Sequence, residues 1–256
     1  MINKLYCMDN LKLMKTLESN SIDLIYSDIL YGTGRDFGDY KDLKYDKQVI
    51  YDFYKPRIEN MFRLLKDTGT LSLQMDFRIS HWIRDICDEY FGYKNCVNEI
   101  IWSYKSGGAS KSKLSCKHDN IIIYTKSINN QKFNLIKEKS FISHKYGFKG
   151  LEEYYDETAK QWYTLVNMRD VWNINIVPNK SKTESILYQT QKPLELMNRI
   201  RDLYTNENDI IADFFCGSGS MIVSAKDGNR NYIGCDINPN AIEITKRRIK
   251  DKINIL

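Results

Sequence analysis

The sequence predicts an α/β fold: an open, mostly parallel sheet with helices on both faces and an inserted lobe. Three observations carry this. Strand-like apolar runs alternate with amphipathic helical runs over residues 1–125 and again over 190–256. Two buried-looking strands run directly into carboxylates, at Asp28 and Asp213. Between 126 and 189 the alternation lapses into polar and aromatic sequence, including Tyr146, Phe148, Tyr154, Tyr155, Trp162, Tyr163 and Trp172. The chain therefore divides into 1–125 and 190–256, two halves of one domain, around a lobe at 126–189.

Each element follows from its pattern. Met1–Cys7 reads as a short strand and Asn10–Glu18 as a short amphipathic helix. Ser21–Asp28 is a continuous apolar strand ending in an acid, and Tyr31–Tyr40, with three glycines and no hydrophobic period, is a loop. Phe53, Ile58, Met61, Phe62 and Leu65 recur at helical spacing, which predicts a helix over 52–65 stopped by Gly69. Thr70–Met75 alternates as a strand, and 79–90 is helical. Asn98–Tyr104 and Asn120–Thr125 are strands joined by a lysine-rich loop. After the lobe, Pro193 opens a helix to Tyr204. Strand 209–214, turn 217–219, helix 220–227, strand 232–236 and helix 239–250 complete the chain.

Composition narrows the class. With 42% hydrophobic residues in 256, the chain can bury a substantial core, which excludes a wholly disordered protein. No apolar run reaches the ~18–20 residues of a membrane span, and no signal-peptide core follows Met1, so the expected location is cytoplasmic. Six dispersed cysteines without a C-x-x-C pair, and three scattered histidines, give no metal spacing and point to reduced, mostly buried thiols. The net charge of +5 permits a polyanionic partner. The charge gathers at Lys105, Lys111, Lys113 and Lys117 in one Gly/Ser-rich stretch, and at Lys44, Lys47, Lys55 and Arg57 after another.

The strongest chemical signal is Ile210–Ser220, IIADFFCGSGS: a hydrophobic strand, glycines, then a helix start. Glycines admit a ligand close to the backbone, and a helix N-terminus offers free amide donors. Asp236 ends the next strand, where a carboxylate suits ribose hydroxyls. The third glycine of a dinucleotide fingerprint is missing. Asp213 before the turn would repel a pyrophosphate, but it could pair with the cationic amino-acid end of S-adenosylmethionine.

The runs Asp213–Gly219 (DFFCGSG), Gly234–Pro239 (GCDINP) and Thr190–Pro193 (TQKP) resemble the amino-group DNA methyltransferases of the permuted beta arrangement. In that family the catalytic motif comes first, the target-recognition region second and the cofactor loop last, and the order here is the same. The resemblance implies the Rossmann-like fold of S-adenosylmethionine-dependent methyltransferases. It also implies that Asp213, Phe215, Gly217 and Gly219 line the methionine part of the cofactor and that Asp236 holds its ribose. Thr190, Gln191 and Lys192 would close over the methionine carboxylate. Asp9 either approaches the cofactor adenine or simply caps a helix.

The family's catalytic motif is Asp-Pro-Pro-Tyr or a close relative. A conjugated exocyclic amine is a poor nucleophile. A rigid carboxylate and a main-chain carbonyl accept its hydrogens, and an aromatic ring stacks on the flipped-out base. Here the motif reads Asp28-Ile29-Leu30-Tyr31. The acid, the Ile29 carbonyl and the aromatic remain, while both prolines and their fixed φ are gone. Two readings stay open: packing holds the loop and the enzyme works, or the motif has decayed and the protein only binds. An aspartate at the head of the motif resembles the adenine-N6 members more than the N4-cytosine ones.

The expected partner is double-stranded DNA, with a cognate restriction endonuclease and a homodimer as further candidates by resemblance. Lys105, Lys111 and Lys113, with Arg35 in the loop past Tyr31, are the candidate DNA contacts; the alternative is a solvated hairpin. His118-Asp119 reads as structural. Bases would be read by 126–189, whose aromatics serve equally well as a small local core. RNA or another amine acceptor is a further enzymatic reading.

Overall fold

A computed structural model of the chain describes residues 2–36, 41–108, 110–178 and 190–251. Its centre is an eight-stranded sheet of β1 (Lys4–Cys7), β2 (Ile22–Asp28), β3 (Leu65–Met75), β4 (Cys96–Ser103), β5 (His118–Thr125), β9 (Val171–Asn173), β10 (Ile210–Asp213) and β11 (Asn231–Asp236). The spatial order is β1-β11-β10-β2-β3-β5-β4-β9. From β1 to β3 every neighbour is parallel, β5 is antiparallel to both β3 and β4, and β9 rejoins parallel to β4. The mostly parallel α/β expectation holds.

Both faces are covered because the central strands are apolar on both sides. Ile25 packs with α1 (Asn10–Thr16), α2 (Lys47–Leu64) and α3 (Phe77–Phe91) through Leu13, Met14, Ile58, Met61 and Ile83. Its neighbours Leu24 and Tyr26 point the other way. They meet Leu196, Met197 and Ile200 of α4 (Leu194–Tyr204) and Met221 of α5 (Ser220–Asp227). Helix α6 (Pro239–Asp251) packs Ile242 and Ile249 against Ile222 and Cys216.

Three elements differ from the sequence reading. Helix α2 starts at Lys47, where the Asp46 side chain caps the Val49 amide at 3.0 Å; the polar first turn hides this start from an apolar-period search. Strand β3 runs from Leu65 through Gly69, which is not a stop. A Cβ at Gly69 would lie 3.0 Å from the Ile22 carbonyl, so glycine lets two strands approach closely. The lobe is more regular than expected: β6 (Lys137–Ile142), β7 (Tyr154–Asp156) and β8 (Gln161–Asn167) form a three-stranded antiparallel sheet.

No disulfide forms among the described residues, and Cys87, Cys216 and Cys235 are buried while Cys7 and Cys116 are exposed. No helix among the described residues is long and apolar enough to cross a membrane.

Candidate active site

Strands β10 and β2 lie side by side, yet the chain leaves β10 toward β11 and leaves β2 toward β3. Crossovers that diverge from adjacent parallel strands open a crevice at the strands' C-terminal ends, the place where open α/β sheets bind ligands. Asp213 ends β10 and Asp28 ends β2 at this point. A cleft of about 770 Å³ opens there. Its wall includes Asp28, Tyr31, Asp119, Lys192, Asp213 and Asp236.

On the glycine-loop side, Asp213 is 2% exposed and accepts the Phe215 N–H at 3.1 Å. Burial pushes its carboxyl well above the usual range, and the nearby Asp28 and Asp236 push it further, against the Phe215 bond. Asp236 accepts the amides of Gly217 and Asn238, both at 2.9 Å, while burial still raises its pKa. Among the described residues, Asp213 therefore has two carboxylate neighbours and no ion pair with a cation. A ligand bearing positive charge resolves that arrangement, because an opposite charge restores the ionised form. The ammonium and sulfonium of S-adenosylmethionine have the required sign, and the residues fit that molecule.

The glycines divide their work. Gly217, at φ +48°, lines the cleft. Gly219, at φ +77°, precedes α5 and faces α6, where a Cβ would meet the Thr245 side chain at 2.4 Å. Phe215 and Thr190 line the cleft, whereas Gln191 is buried away from its wall. The Ser220 hydroxyl donates to the Lys192 carbonyl at 2.8 Å and ties the TQKP segment to α5. Asp9 does what a helix cap does: it accepts the Lys12 amide at 3.0 Å, and its other oxygen pairs with Arg57 at 3.0 Å. It also borders the cleft.

On the catalytic-loop side, Lys192 Nζ donates to Asp28 Oδ2. The Tyr31 hydroxyl lies 2.8 Å from Asp28 Oδ1 and 2.7 Å from Asp119 Oδ2, and its single hydrogen serves one carboxylate at a time. Asp119, 5% exposed, also accepts Gln74 Nε2 at 2.9 Å and the Tyr104 hydroxyl at 3.0 Å. Gln74 in turn accepts the Tyr26 hydroxyl at 2.7 Å. The Asp28 carboxyl is raised by burial first; Lys192 opposes that rise and Asp119 reinforces it. The Tyr31 hydroxyl is pushed well above its ordinary value by burial and both carboxylates, so it remains a donor.

Sequence reasoning brought Asp28, Tyr31, Lys192, Asp213, Phe215, Gly217 and Asp236 to one cleft. It read Asp119, which the antiparallel return of β5 carries to Tyr31, as structural, and counted Arg57 only among the basic charges. Arg57 is 7% exposed, donates to Asn10 Oδ1 at 2.8 Å and stands 3.6 Å from the Phe53 ring centroid. Asn10 passes the link to the Phe214 carbonyl at 2.9 Å. Lys105, Lys111, Lys113 and Arg35 are exposed, with Arg35 at the cleft mouth. Lys117 instead folds back onto the carbonyls of Ser106, Gly107 and Gly108.

Comparison with known proteins gives a consistent result. The family described as DNA methylase (N6_N4_Mtase) matches residues 22–247. Type II methyltransferase M.HpaI of Haemophilus parainfluenzae is 32% identical over 99% of this chain and 76% of its own length. The DNA adenine methyltransferase YhdJ of Escherichia coli K12 is 27% identical over 94% of this chain and 80% of its own. Among solved structures, the cytosine-N4-specific PvuII DNA methyltransferase shares the fold, with a TM-score of 0.69 at 14% identity over 99% of this chain and 87% of that one. The carboxylate-lined cleft at the switch point and these matches agree: the chain belongs to the amino-group DNA methyltransferases, which take their methyl group from S-adenosylmethionine.

Proposed function

We propose that this protein methylates the N6 amino group of adenine at specific sites in double-stranded DNA, after flipping the base into the cleft. The observation that carries the reading is Asp28, fixed at the end of β2 between Lys192 and the Tyr31 hydroxyl in the wall of a cleft also lined by Asp213 and Asp236. An aspartate heading the motif, as in the adenine-directed members, supports N6 over N4. The name of YhdJ points the same way, while the fold is shared with a cytosine-N4 enzyme.

Bound S-adenosylmethionine supplies an electrophilic methyl carbon on a sulfonium. Asp213 holds the donor's positive end, Asp236 its ribose hydroxyls, and Phe215 and Gly217 its flank. Thr190, Gln191 and Lys192 form the segment that closes this side. Asp28 and the Ile29 carbonyl accept the hydrogens of the target amine and free its lone pair. The Tyr31 ring packs on the base, which is worth about 1–3 kcal/mol for an aromatic contact. As the N–C bond forms, the C–S bond breaks with its electrons on sulfur, and the amine loses one proton through Asp28 to solvent. Lys192 favours the ionised Asp28 that accepts this proton.

Lys105, Lys111, Lys113 and Arg35 contact phosphates, and the lobe at 126–189 reads bases. Within it, Tyr155 is exposed on the three-stranded sheet, whereas Trp172 is 1% exposed and belongs to the main core. The names of the Type II relatives extend the reading to restriction–modification with a cognate endonuclease. The test is the identity of the modified nucleoside: mixed-sequence DNA is incubated with protein and methyl donor, digested, and analysed by mass. N6-methyladenine supports the reading. N4-methylcytosine overturns the base assignment, and methylation confined to RNA overturns the substrate.

A further inference from the structure

Residues 29 and 30 lack the ring-fixed φ of proline, yet the peptides flanking the Ile29–Leu30 bond are each held by a hydrogen bond. The Ile29 N–H donates to the Gln74 carbonyl at 3.1 Å, extending the β2–β3 ladder past the Asp28–Gln74 pair. The Ile29 side chain is 2% exposed in the core. From α2, the Tyr54 hydroxyl donates to the Leu30 carbonyl at 2.9 Å. Tyr54 is 1% exposed, and burial keeps its phenol protonated and therefore a donor. Beyond Tyr31, the 5%-exposed Asp42 accepts the amides of Gly32 at 3.1 Å and Thr33 at 2.7 Å, and the Thr33 hydroxyl at 2.6 Å. The Gly34 amide closes the return by donating to the Leu43 carbonyl at 2.8 Å.

We propose that this hydrogen-bond frame replaces the two prolines, and that Tyr54 and Asp42 are positioning residues which set the Ile29 carbonyl and Tyr31 for methyl transfer. This rests on the catalytic reading of Asp28–Tyr31 given above. Tyr54 is absent from the cleft wall, so its hydroxyl acts through the Leu30 peptide alone. The frame also makes the two positions inequivalent. Proline at 29 removes a bonded N–H, whereas the Leu30 N–H has no backbone partner among the described residues, so proline at 30 breaks no backbone hydrogen bond and restores a fixed φ, with some loss of Leu30 side-chain packing.

The experiment measures kcat and KM for wild type, Tyr54→Phe, Leu30→Pro, Ile29→Pro and the double variant Tyr54→Phe with Leu30→Pro, on DNA with S-adenosylmethionine. Tyr54→Phe should lower kcat about tenfold or more, a usual cost of a slackened attack geometry, with KM for both substrates nearly unchanged. Leu30→Pro in that background should recover most of the loss, and Ile29→Pro alone should reduce kcat. An unaltered kcat in Tyr54→Phe, or a loss that Leu30→Pro does not recover, overturns the proposal while leaving the methyltransferase reading in place. An inactive wild type removes that reading, and this inference with it. Should Tyr54→Phe lose cofactor binding through misfolding, Asp42→Asn decides. Faster amide exchange at Gly32 and Thr33 together with lower kcat supports the frame, and unchanged values of both contradict it.

Discussion

Asp213 and Asp28 are carboxylates whose pKa values are raised chiefly by burial, yet their surroundings differ. Asp213 faces Asp28 and Asp236 with only uncharged partners, the Phe215 amide and the Ser27 side chain, in compensation, while Asp28 has Lys192. A carboxyl with a raised folded pKa contributes stability that is complete below its unfolded value near 3.8 and is lost as pH rises through the folded value. Near neutral pH the cofactor-free protein therefore carries a destabilising Asp213. Asp213→Asn should raise the stability of the cofactor-free protein by on the order of 1 kcal/mol, while weakening S-adenosylmethionine binding tenfold or more; thermal unfolding and calorimetry read the two effects. For Asp28 the relevant quantity is the acid limb of the pH–rate profile. Transfer requires the ionised form, so activity falls as pH drops through the Asp28 pKa. Lys192→Gln removes the cation that holds this value down and should move the limb to higher pH.

Among the elements, the strand that the sequence marked most plainly, β2, is also the one that ends in the proposed catalytic acid. Its continuous burial left no ambiguity of period, and its terminal acid marked the site. Gly219 shows how an element's packing can pass for ligand chemistry in the sequence. Its glycine serves a left-handed φ and the approach of α6, neither of which leaves a local trace. Gly219→Ala should therefore lower stability by about 2–4 kcal/mol, from backbone strain and overpacking together. Adding Thr245→Ala should return part of that in thermal unfolding, but not the share due to φ. The start of α2, the length of β3 and the lobe sheet escaped for a related reason. Polar first turns, a glycine inside a strand and short two-faced strands all lack the apolar period on which such reading depends. Asp119 was invisible as a site residue because only the antiparallel pairing of β5 with β3 brings it beside Tyr31.

For the molecule as a whole, the order of its parts along the chain follows from the sheet. The acid of an early strand and the acid of a late one become neighbours because β10 inserts beside β2, so the proposed catalytic and cofactor halves, far apart in the chain, fold into one cleft. The basic charge is distributed to match. Arg35 stands at the cleft mouth, and Lys105, Lys111 and Lys113 lie exposed on the β4–β5 connection, while Lys117 secures that connection from within. A lysine that neutralises one DNA phosphate steepens the dependence of log affinity on log salt by about 0.9. Replacing Lys105, Lys111 and Lys113 singly by alanine should flatten that slope by this amount in DNA binding titrations, and should weaken binding equally on every sequence tested.

In the proposed function, Asp28, at the end of β2, drives methyl transfer to a DNA amino group from a donor held by the Asp213 side of the cleft. The most direct measurement is a single-turnover assay of methyl-labelled S-adenosylmethionine with DNA, comparing wild type with Asp28→Ala at saturating donor. Wild type should label DNA. Asp28→Ala should be slower by about 10²–10³, the usual cost of removing a group that stabilises a transition state, while still binding the donor in calorimetry. Equal rates in the two proteins would overturn the role of Asp28, since the transfer would then not depend on the carboxylate at the switch point.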